Sequence, residues 1–205
     1  MEKIKIGQGL IAIGGNEGEG KTWFSIRLAN TLAMKEKVLF ISYQTYRDML
    51  LKITEEIAGQ NNPNLIFKTQ IASESYLSFR QIYHEVQNKG ISTIFIDDLH
   101  SYSMDYNCQI GDTLEGLRFF VDTLNVSIIF TVNIDTTKYN SQKGIPSIKH
   151  FNYLGDLINE CDQILAIYRP TYYGFEAFAQ RSEILEVIEV YDFKNEENTQ
   201  IKYFK

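Results

Sequence analysis

The sequence contains, at positions 15–22, the run Gly15-Asn16-Glu17-Gly18-Glu19-Gly20-Lys21-Thr22. Its fixed positions match Gly-x-x-x-x-Gly-Lys-Thr, the pattern of a phosphate-binding loop. The apolar run Leu10 to Ile13 before it predicts a buried strand, and apolar residues at helical spacing from Thr22 to Lys35 predict a helix after it. Because strand, glycine-rich loop and helix in this order form the context in which the pattern binds phosphate, the region predicts a nucleotide site.

The residue types of this loop suit a polyphosphate. Glycines let backbone N–H groups approach the phosphates closely, and the following helix directs its unpaired N–H groups at the same anion. Lys21 is expected to reach the terminal phosphates and Thr22 to place its hydroxyl on Mg²⁺. The predicted nucleotide contacts are Gly15, Asn16, Glu17, Gly18, Glu19, Gly20, Lys21 and Thr22. The alternative is a glycine-rich turn before an ordinary helix, but chance gives the four fixed positions in roughly one of a hundred chains of this length.

Composition and charge bound the classes of function. The 205 residues, 44% of them hydrophobic and 22% charged, are enough for one core, so we expect one domain over residues 1–205. A formal net charge of −6 argues against a surface that holds nucleic acid by bulk electrostatics. The two cysteines form no Cys-x-x-Cys pair, and no apolar run approaches the length of a membrane span. We therefore expect a cytoplasmic protein without disulfides or membrane segments.

Apolar runs alternate with helical patterns along the chain. Strands are predicted at Leu10–Ile13, Val38–Tyr43, Leu65–Phe67, Thr93–Asp98, Val126–Val132, Gln163–Tyr168, Ile184–Val190 and Thr199–Phe204. Helices are predicted at 22–35, 46–59, 76–89 and 113–124, and loops at 101–112 and 133–149. Such alternation predicts an α/β fold in which helices flank a mainly parallel central sheet, with the site at the carboxyl ends of the strands.

Asp97, at the carboxyl end of the predicted strand Thr93–Asp98, is the second nucleotide signal. A carboxylate at the end of a buried strand can hold, usually through water, the Mg²⁺ that also touches Thr22. An apolar strand that ends in Asp is common, and a turn or a helix cap is the alternative interpretation. Its position downstream of a phosphate-binding loop favours the magnesium role.

Several segments, taken together, carry a resemblance to a known family. They are Phe40-Ile41-Ser42-Tyr43-Gln44-Thr45, Ile94-Phe95-Ile96-Asp97-Asp98-Leu99-His100, Phe130-Thr131-Val132-Asn133 and Glu160-Cys161-Asp162-Gln163-Ile164-Leu165-Ala166-Ile167-Tyr168-Arg169-Pro170-Thr171-Tyr172-Tyr173. With the phosphate-binding loop, they resemble in order the motifs of the RecA-like ATPase domain of DnaB-type replicative hexameric helicases. The resemblance runs over nearly the whole chain. It implies a RecA-like P-loop NTPase fold, ATP with Mg²⁺ as ligands, and a stand-alone, divergent version of that domain.

The chain departs from this family at residues that hydrolyse ATP. The family's catalytic glutamate, which prepares water for attack, corresponds to Gln44, and a neutral amide cannot take the proton of a water as a carboxylate would. Asp98 is a candidate replacement base. His100 lies where the family has a glutamine that senses the γ-phosphate, and it could still donate a hydrogen bond. Tyr172, after the last of the matching strands, is a candidate for stacking on adenine, although it could equally pack a surface turn.

The resemblance also implies a Lys and an Arg that a neighbouring subunit inserts into the site. Tyr191 and Phe193 stand at these cationic positions, unless a shift of one residue aligns Lys194 with the arginine. Such a cation contributes on the order of a thousandfold to hydrolysis. The sequence therefore predicts slow or absent turnover.

Three functions remain open at this point. The first is an ATP-binding domain with degenerate catalytic residues and slow hydrolysis, acting in DNA replication or mobile-element DNA processing. The second is an active, single-stranded-DNA-stimulated ATPase or helicase in which Asp98 is the base and Lys138, Lys143 and Lys149 contact DNA. The third is a regulatory module that binds a helicase or recombinase ring. A homo-oligomer is a further candidate partner, with nucleotide as the conformational or assembly ligand under the first function.

Overall fold

The computed structural model describes residues 6–69, 79–105, 107–134, 148–168, 184–194 and 197–204. Its strands are β1 (Leu10–Gly15), β2 (Val38–Ser42), β3 (Leu65–Thr69), β4 (Thr93–Asp97), β5 (Ser127–Asn133), β6 (Gln163–Tyr168), β7 (Ile184–Asp192) and β8 (Glu197–Phe204). Its helices are α1 (Lys21–Ala33), α2 (Arg47–Ala58), α3 (Phe79–Lys89), α4 (Leu99–Asp105), α5 (Ile110–Leu124) and α6 (Leu154–Glu160), and a 3₁₀ turn covers Ile148–His150. No helix within these ranges is long and apolar enough to cross a membrane.

All eight strands form one sheet in the order β3-β2-β4-β5-β1-β6-β7-β8. The strands β1 to β6 are parallel wherever they pair, whereas β7 and β8 join the edge of β6 as antiparallel strands. The predicted α/β fold with a mainly parallel central sheet and flanking helices is confirmed. β1 lies between β5 and β6, so the loop that follows it opens near the middle of the sheet.

The core has two layers, one on each face of the sheet. Alternate residues of β1 divide between them, since successive side chains of a strand point to opposite faces: Leu10 packs in one cluster and Ile11 in the other. The first cluster includes buried side chains of α3, α4, α5 and α6, and the second includes those of α1 and α2. Burial on both faces explains why the strand sequences are continuously apolar rather than alternating.

The predicted loop over Ser101–Asp112 is wrong, because helix occupies most of it. α4 runs through its first five residues and α5 begins at Ile110. Leu99 and Tyr102 are fully buried and anchor α4 to the core. The backbone N–H of Ser101 donates to Asp98 Oδ1 at 2.8 Å, which caps the first turn. The segment is polar because a short helix buries only one side, so its low hydrophobicity does not indicate a loop.

Candidate nucleotide-binding site

The site lies at the carboxyl edge of the sheet, where the ends of β1, β2, β4 and β5 come together. In the parallel register Gly15 of β1 pairs with Asn133 of β5, and Ser42 of β2 pairs with Asp97 of β4. A cavity of about 510 Å³ opens there. Its lining consists of Glu17, Gly18, Gly20, Lys21, Thr22, Trp23, Gln44, Asp97, Asp98, Thr131 and Asn133. The topology therefore joins the two motifs that the sequence predicted to cooperate.

The loop after β1 has the backbone of an anion-binding turn. Gly18 and Gly20 have φ angles of 78° and 88°, a region that side chains disfavour. Gly20 is the N-cap of α1 and supplies no side chain to cap the helix. The N–H groups of the first turn and the positive end of the helix dipole are therefore available to a phosphate in the cavity.

Lys21 is held by its own loop. Its Nζ donates to the carbonyl oxygens of Gly15 at 3.0 Å and Asn16 at 2.9 Å. Burial is the largest influence on this ammonium and lowers its pKa, against the nearby carboxylates, which raise it. Those carboxylates are Asp97, Glu19, Asp98 and Glu17. A phosphate would offer the buried ammonium a stronger partner than two neutral carbonyl groups do.

Asp97 and Thr22, the two predicted magnesium ligands, are in direct contact. Thr22 Oγ1 donates to Asp97 Oδ2 at 3.0 Å, and Thr131 Oγ1 donates to Asp97 Oδ1 at 2.9 Å. The Ser42 hydroxyl lies 3.5 Å from Asp97 Oδ2. Asp97 is only 2% exposed, and this burial raises its pKa. Thr131 and Ser42 are site residues that the sequence analysis did not identify.

The residues around Asp97 fit Mg²⁺. A carboxylate and a hydroxyl are hard oxygen ligands, and Mg²⁺ in nucleotide sites takes only one or two protein ligands beside phosphate oxygens and water. Within the described part of the chain no group of three or more His, Cys, Asp and Glu side chains could hold a metal. The buried carboxylate accepts hydrogen bonds from neutral hydroxyl groups, and burial outweighs the nearby Lys21 ammonium in setting its pKa, so a metal cation would relieve its desolvation.

Gln44 and Asp98 form a pair across the mouth of the cavity. Gln44 Nε2 donates to Asp98 Oδ2 at 2.7 Å, and Asp98 is 6% exposed, whereas Gln44 is exposed. The other carboxylate oxygen of Asp98 accepts the N–H of Ser101 that caps α4. The two residues proposed from sequence as water-activating groups therefore contact each other, and each oxygen of Asp98 already accepts a hydrogen bond.

Glu19 lies behind the loop rather than in the cavity. Its side chain is 3% exposed, and its Oε2 accepts the backbone N–H of Asn16 at 2.7 Å. Gly15, Asn16 and Glu19 were predicted to contact nucleotide, but they are not among the residues that line the cavity. The Glu19 carboxylate braces the turn through this hydrogen bond and also lies close enough to Lys21 to act against the lowering of that ammonium's pKa by burial.

The remaining predicted site residues lie elsewhere. His100 is exposed in α4 and does not line the cavity. Tyr172 lies outside the described residues, as do Lys138 and Lys143. Lys149 is exposed in the 3₁₀ turn.

The positions that correspond to the family's inserted Lys and Arg lie beside the start of β6, at the end of the sheet away from the cavity. Tyr191 and Phe193 pack against the core cluster on one face. Lys194 Nζ binds Asp162 Oδ1 at 2.9 Å, just before the first residue of β6. Lys194 is therefore already paired with a carboxylate of its own chain, at the amino ends of the parallel strands and away from the cavity.

Two curated proteins match part of the sequence, although no protein-family model matches it. The chain is 28% identical over 118 residues to the 3'-5' exonuclease DinG of Staphylococcus epidermidis. The matched region covers 57% of this chain and 12% of that protein. It is 25% identical over 126 residues to the DNA repair protein RadA of Campylobacter jejuni. This matched region covers 60% of this chain and 27% of that protein. The chain thus spans about an eighth and a quarter of the lengths of these relatives.

Solved structures match far more of the chain. One is a DnaB-like replicative helicase described with its interactions with primase, which superimposes with a TM-score of 0.75 at 15% identity over 95% of this chain and 56% of the helicase. Another is a structure described as an ATPase domain, with a TM-score of 0.70 at 14% identity over 95% of this chain and 80% of that domain. The chain therefore has the RecA-like P-loop fold of the ATPase domain of DnaB-like helicases.

Proposed function

We propose that this chain binds ATP with Mg²⁺ and hydrolyses it slowly. The observation that supports the proposal is the contact between Thr22 and Asp97. It lies beside Lys21 in a cavity that the glycine-rich turn and the N-terminus of α1 also line. These groups offer a polyphosphate its backbone donors, one ammonium and a metal position in a single cavity. Adenine is proposed from the resemblance to helicase ATPase domains.

Binding would rearrange the lysine and preserve the loop. Lys21 would leave the carbonyl groups of Gly15 and Asn16 for the β- and γ-phosphate oxygens, because an anion is the better partner for a buried ammonium. Thr22 and Asp97 would hold the Mg²⁺. When bound, this ion neutralises charge on the β- and γ-phosphate oxygens. Glu19 would keep the turn in shape from behind by retaining the N–H of Asn16.

Hydrolysis would lack a proton acceptor of the usual kind. The oxygen of water attacks the γ-phosphorus, the bond to the β–γ bridging oxygen breaks, and that oxygen keeps the electron pair as ADP leaves. Gln44 can orient the water but cannot take its proton, which passes to a phosphate oxygen or to solvent. The loss of a general base slows such reactions about a hundredfold to ten-thousandfold. Slow turnover follows.

A DNA-linked role in a replication or mobile-element setting, inside the cytoplasm, is part of the same proposal. The proteins that this chain resembles are a replicative helicase, a DNA repair protein and an exonuclease by name. A ring of identical subunits, or a helicase or recombinase ring of another protein, is the proposed partner. The pairing of Lys194 within the chain favours the second, since it leaves this lysine less able to reach a neighbour's nucleotide.

An active motor is the second candidate function. The observation that favours it is the carboxylate of Asp98 in the lining of the cavity, where it could act as the base. Single-stranded DNA would then bind in the presence of ATP and stimulate turnover. If DNA neither binds at low salt nor accelerates turnover, this candidate is excluded.

ATP binding is the direct test of the main proposal. We expect Lys21→Ala to weaken binding of Mg²⁺-ATP at least tenfold, since it removes a charge-assisted contact of about 1.5–3 kcal/mol. Lys35→Ala is the matched control, because Lys35 is exposed just beyond α1 and outside the cavity. Calorimetric titration of wild type and both variants measures the effect. Equal affinities in all three proteins would refute nucleotide binding at this loop.

A further inference from the structure

We propose that Asp98 is a positioning residue that fixes the side-chain amide of Gln44, so that the amide oxygen of Gln44 faces the cavity and accepts a hydrogen bond from the attacking water. This inference rests on the proposed ATP hydrolysis and names the residue that controls it. It assigns Asp98 a role other than that of a replacement base. The two roles differ in the effect of Asp98→Asn once Gln44 has been removed: a positioning residue then has no further effect, whereas a base still does.

The hydrogen bond between the two side chains settles the orientation of the amide. The group that approaches Asp98 Oδ2 at 2.7 Å is the Gln44 NH₂, which donates to it, and not the Gln44 oxygen. The amide is planar, and its oxygen lies on the side away from the NH₂ group. Gln44 therefore keeps an acceptor for water, which is the half of a general base's task that a neutral side chain can perform.

The protein holds Asp98 more firmly than it holds Gln44. Asp98 is buried and its Oδ1 is bound to the N–H of Ser101 at the start of α4, so a helix fixes the carboxylate. Gln44 is exposed beyond the end of β2, and its side chain would sample several rotamers without a partner. The buried carboxylate thus selects one conformation of the exposed amide, and the orientation of water depends on it.

The pair also limits where a second carboxylate can be introduced into the site. A carboxylate introduced at position 44 alone would face Asp98 at hydrogen-bond distance, and two carboxylates at that distance repel each other. Changing Asp98 to Asn at the same time removes the conflict. The new amide oxygen can accept from Ser101 while its NH₂ donates to the carboxylate at position 44, which reverses the original hydrogen bond with the net charge unchanged.

The decisive experiment compares four proteins under single-turnover conditions: wild type, Gln44→Glu, Asp98→Asn and the double exchange Gln44→Glu/Asp98→Asn. We expect Asp98→Asn to lower the rate of hydrolysis about tenfold, the size of one lost hydrogen bond to a charged group, with little change in ATP affinity. Gln44→Glu alone should gain little. The double exchange should exceed Gln44→Glu about a hundredfold, because it pairs a general base with a neutral neighbour.

A Gln44→Ala background separates positioning from base catalysis. If Asp98 acts through Gln44, Asp98→Asn has no further effect once Gln44 is removed. An equal fall in rate in both backgrounds would show that Asp98 acts by itself and would overturn the inference. A double exchange no faster than Gln44→Glu would overturn it as well. Asp48→Asn, an exposed change in the first turn of α2, is the matched control and should leave the rate unchanged.

A second readout needs no nucleotide. The side-chain NH₂ of Gln44 should give an NMR signal in which one proton is shifted downfield by the carboxylate, identified by its loss in Gln44→Ala. Asp98→Asn should return it to the position of a solvated amide, and Asp48→Asn should not move it. An unshifted signal in wild type would refute the pairing, whereas a shifted signal in a protein that binds no ATP would refute only the proposed function.

Discussion

Asp97 and Asp162 are both buried carboxylates next to parallel strands of the sheet. Asp97 lies at the carboxyl end of its strand and Asp162 at the amino end of its strand, and their surroundings differ. Asp97 ends β4 and accepts hydrogen bonds from the hydroxyl groups of Thr22 and Thr131. Asp162 precedes β6 and accepts from the backbone N–H of Leu10 at 2.7 Å, from Arg118 Nη2 at 3.0 Å and from Lys194 Nζ at 2.9 Å. The hydrogen-bond donors to Asp97 are neutral hydroxyl groups, whereas two of the three donors to Asp162 are cations.

Their pKa values move in opposite directions for that reason. Burial dominates at Asp97 and raises its pKa above the ordinary value. Burial acts in the same direction at Asp162, but the hydrogen bonds from Lys194, Leu10 and Arg118 together outweigh it and lower the pKa. The Asp162 carboxylate is satisfied within the chain and stabilises the fold. The Asp97 carboxylate, beside the Lys21 ammonium, is the one proposed to bind Mg²⁺.

The largest expected effect comes from Asp162→Asn. The three groups around this carboxylate are all donors, so an amide NH₂ placed against any of them finds no acceptor. We expect the free energy of unfolding to fall by about 3 kcal/mol, as when one partner of a buried ion pair is removed. Denaturant unfolding of the nucleotide-free protein measures it. A loss below about 1 kcal/mol would mean that the cations at this edge are satisfied by water.

The pH dependence of that loss is the next test. Because the folded pKa of Asp162 is lowered, the unfolded chain binds more protons than the folded one in the acid range, and stability rises with pH there. The advantage of wild type over Asp162→Asn should be complete above the ordinary Asp value of 3.8 and shrink as pH falls through the lowered pKa. Unfolding curves of both proteins between neutral and acid pH check this. An advantage that grows on acidification contradicts it.

A smaller effect is expected from Thr131→Val, which keeps the shape of the side chain and removes the hydroxyl that donates to Asp97 at 2.9 Å. Loss of one hydrogen bond to a buried charged group should lower the free energy of unfolding by about 1–2 kcal/mol. Removing a partner that orients a metal ligand should also weaken Mg²⁺ affinity in the presence of ATP about tenfold. Thr54→Val in α2, whose buried hydroxyl donates to the Leu50 carbonyl, controls for the loss of a buried hydroxyl. Equal metal affinities in the two variants would show that Thr131 does not serve the site.

The two aspartates also show what a sequence can reveal. The loop at Gly15–Thr22 and the strand before Asp97 were predictable because each is local: a fixed spacing and an apolar run. Thr131 and Ser42 were not, because they meet Asp97 only through the lateral order of the strands, in which β4 lies between β2 and β5. Neither residue has a distinctive local pattern. A buried hydroxyl within an apolar strand is the only signal that could have indicated them.

The directions of side chains could not be predicted from the sequence either. Glu19 belongs to the loop pattern, yet it turns behind the loop to bind Asn16, and the pattern contains no information on that choice. Gln44 and Asp98 are 54 residues apart, and their pairing depends on the parallel register of β2 with β4. The helix at Leu99–Asp105 was missed because its composition is mostly polar, although Leu99, Tyr102 and Ser103 are buried. These features arise from tertiary packing, which overrides local composition.

The smallest change in stability is expected for Asp97→Asn, the same substitution that is most damaging at Asp162. Hydroxyl groups can reverse, so Thr22 can accept from the new NH₂ while Thr131 still donates to the remaining oxygen. The weaker hydrogen bonds of a neutral side chain are offset because a charge no longer has to be buried. We expect the free energy of unfolding to change by no more than about 1 kcal/mol, or to rise.

The Asp97→Asn variant should nevertheless lose the strengthening of ATP binding by Mg²⁺, because a neutral amide is a poor ligand for this ion. ATP titrations with Mg²⁺ and with a chelator measure that difference. A variant as unstable as Asp162→Asn would show that Asp97 is a structural carboxylate like its counterpart, and retained Mg²⁺ dependence would place the metal on other oxygens.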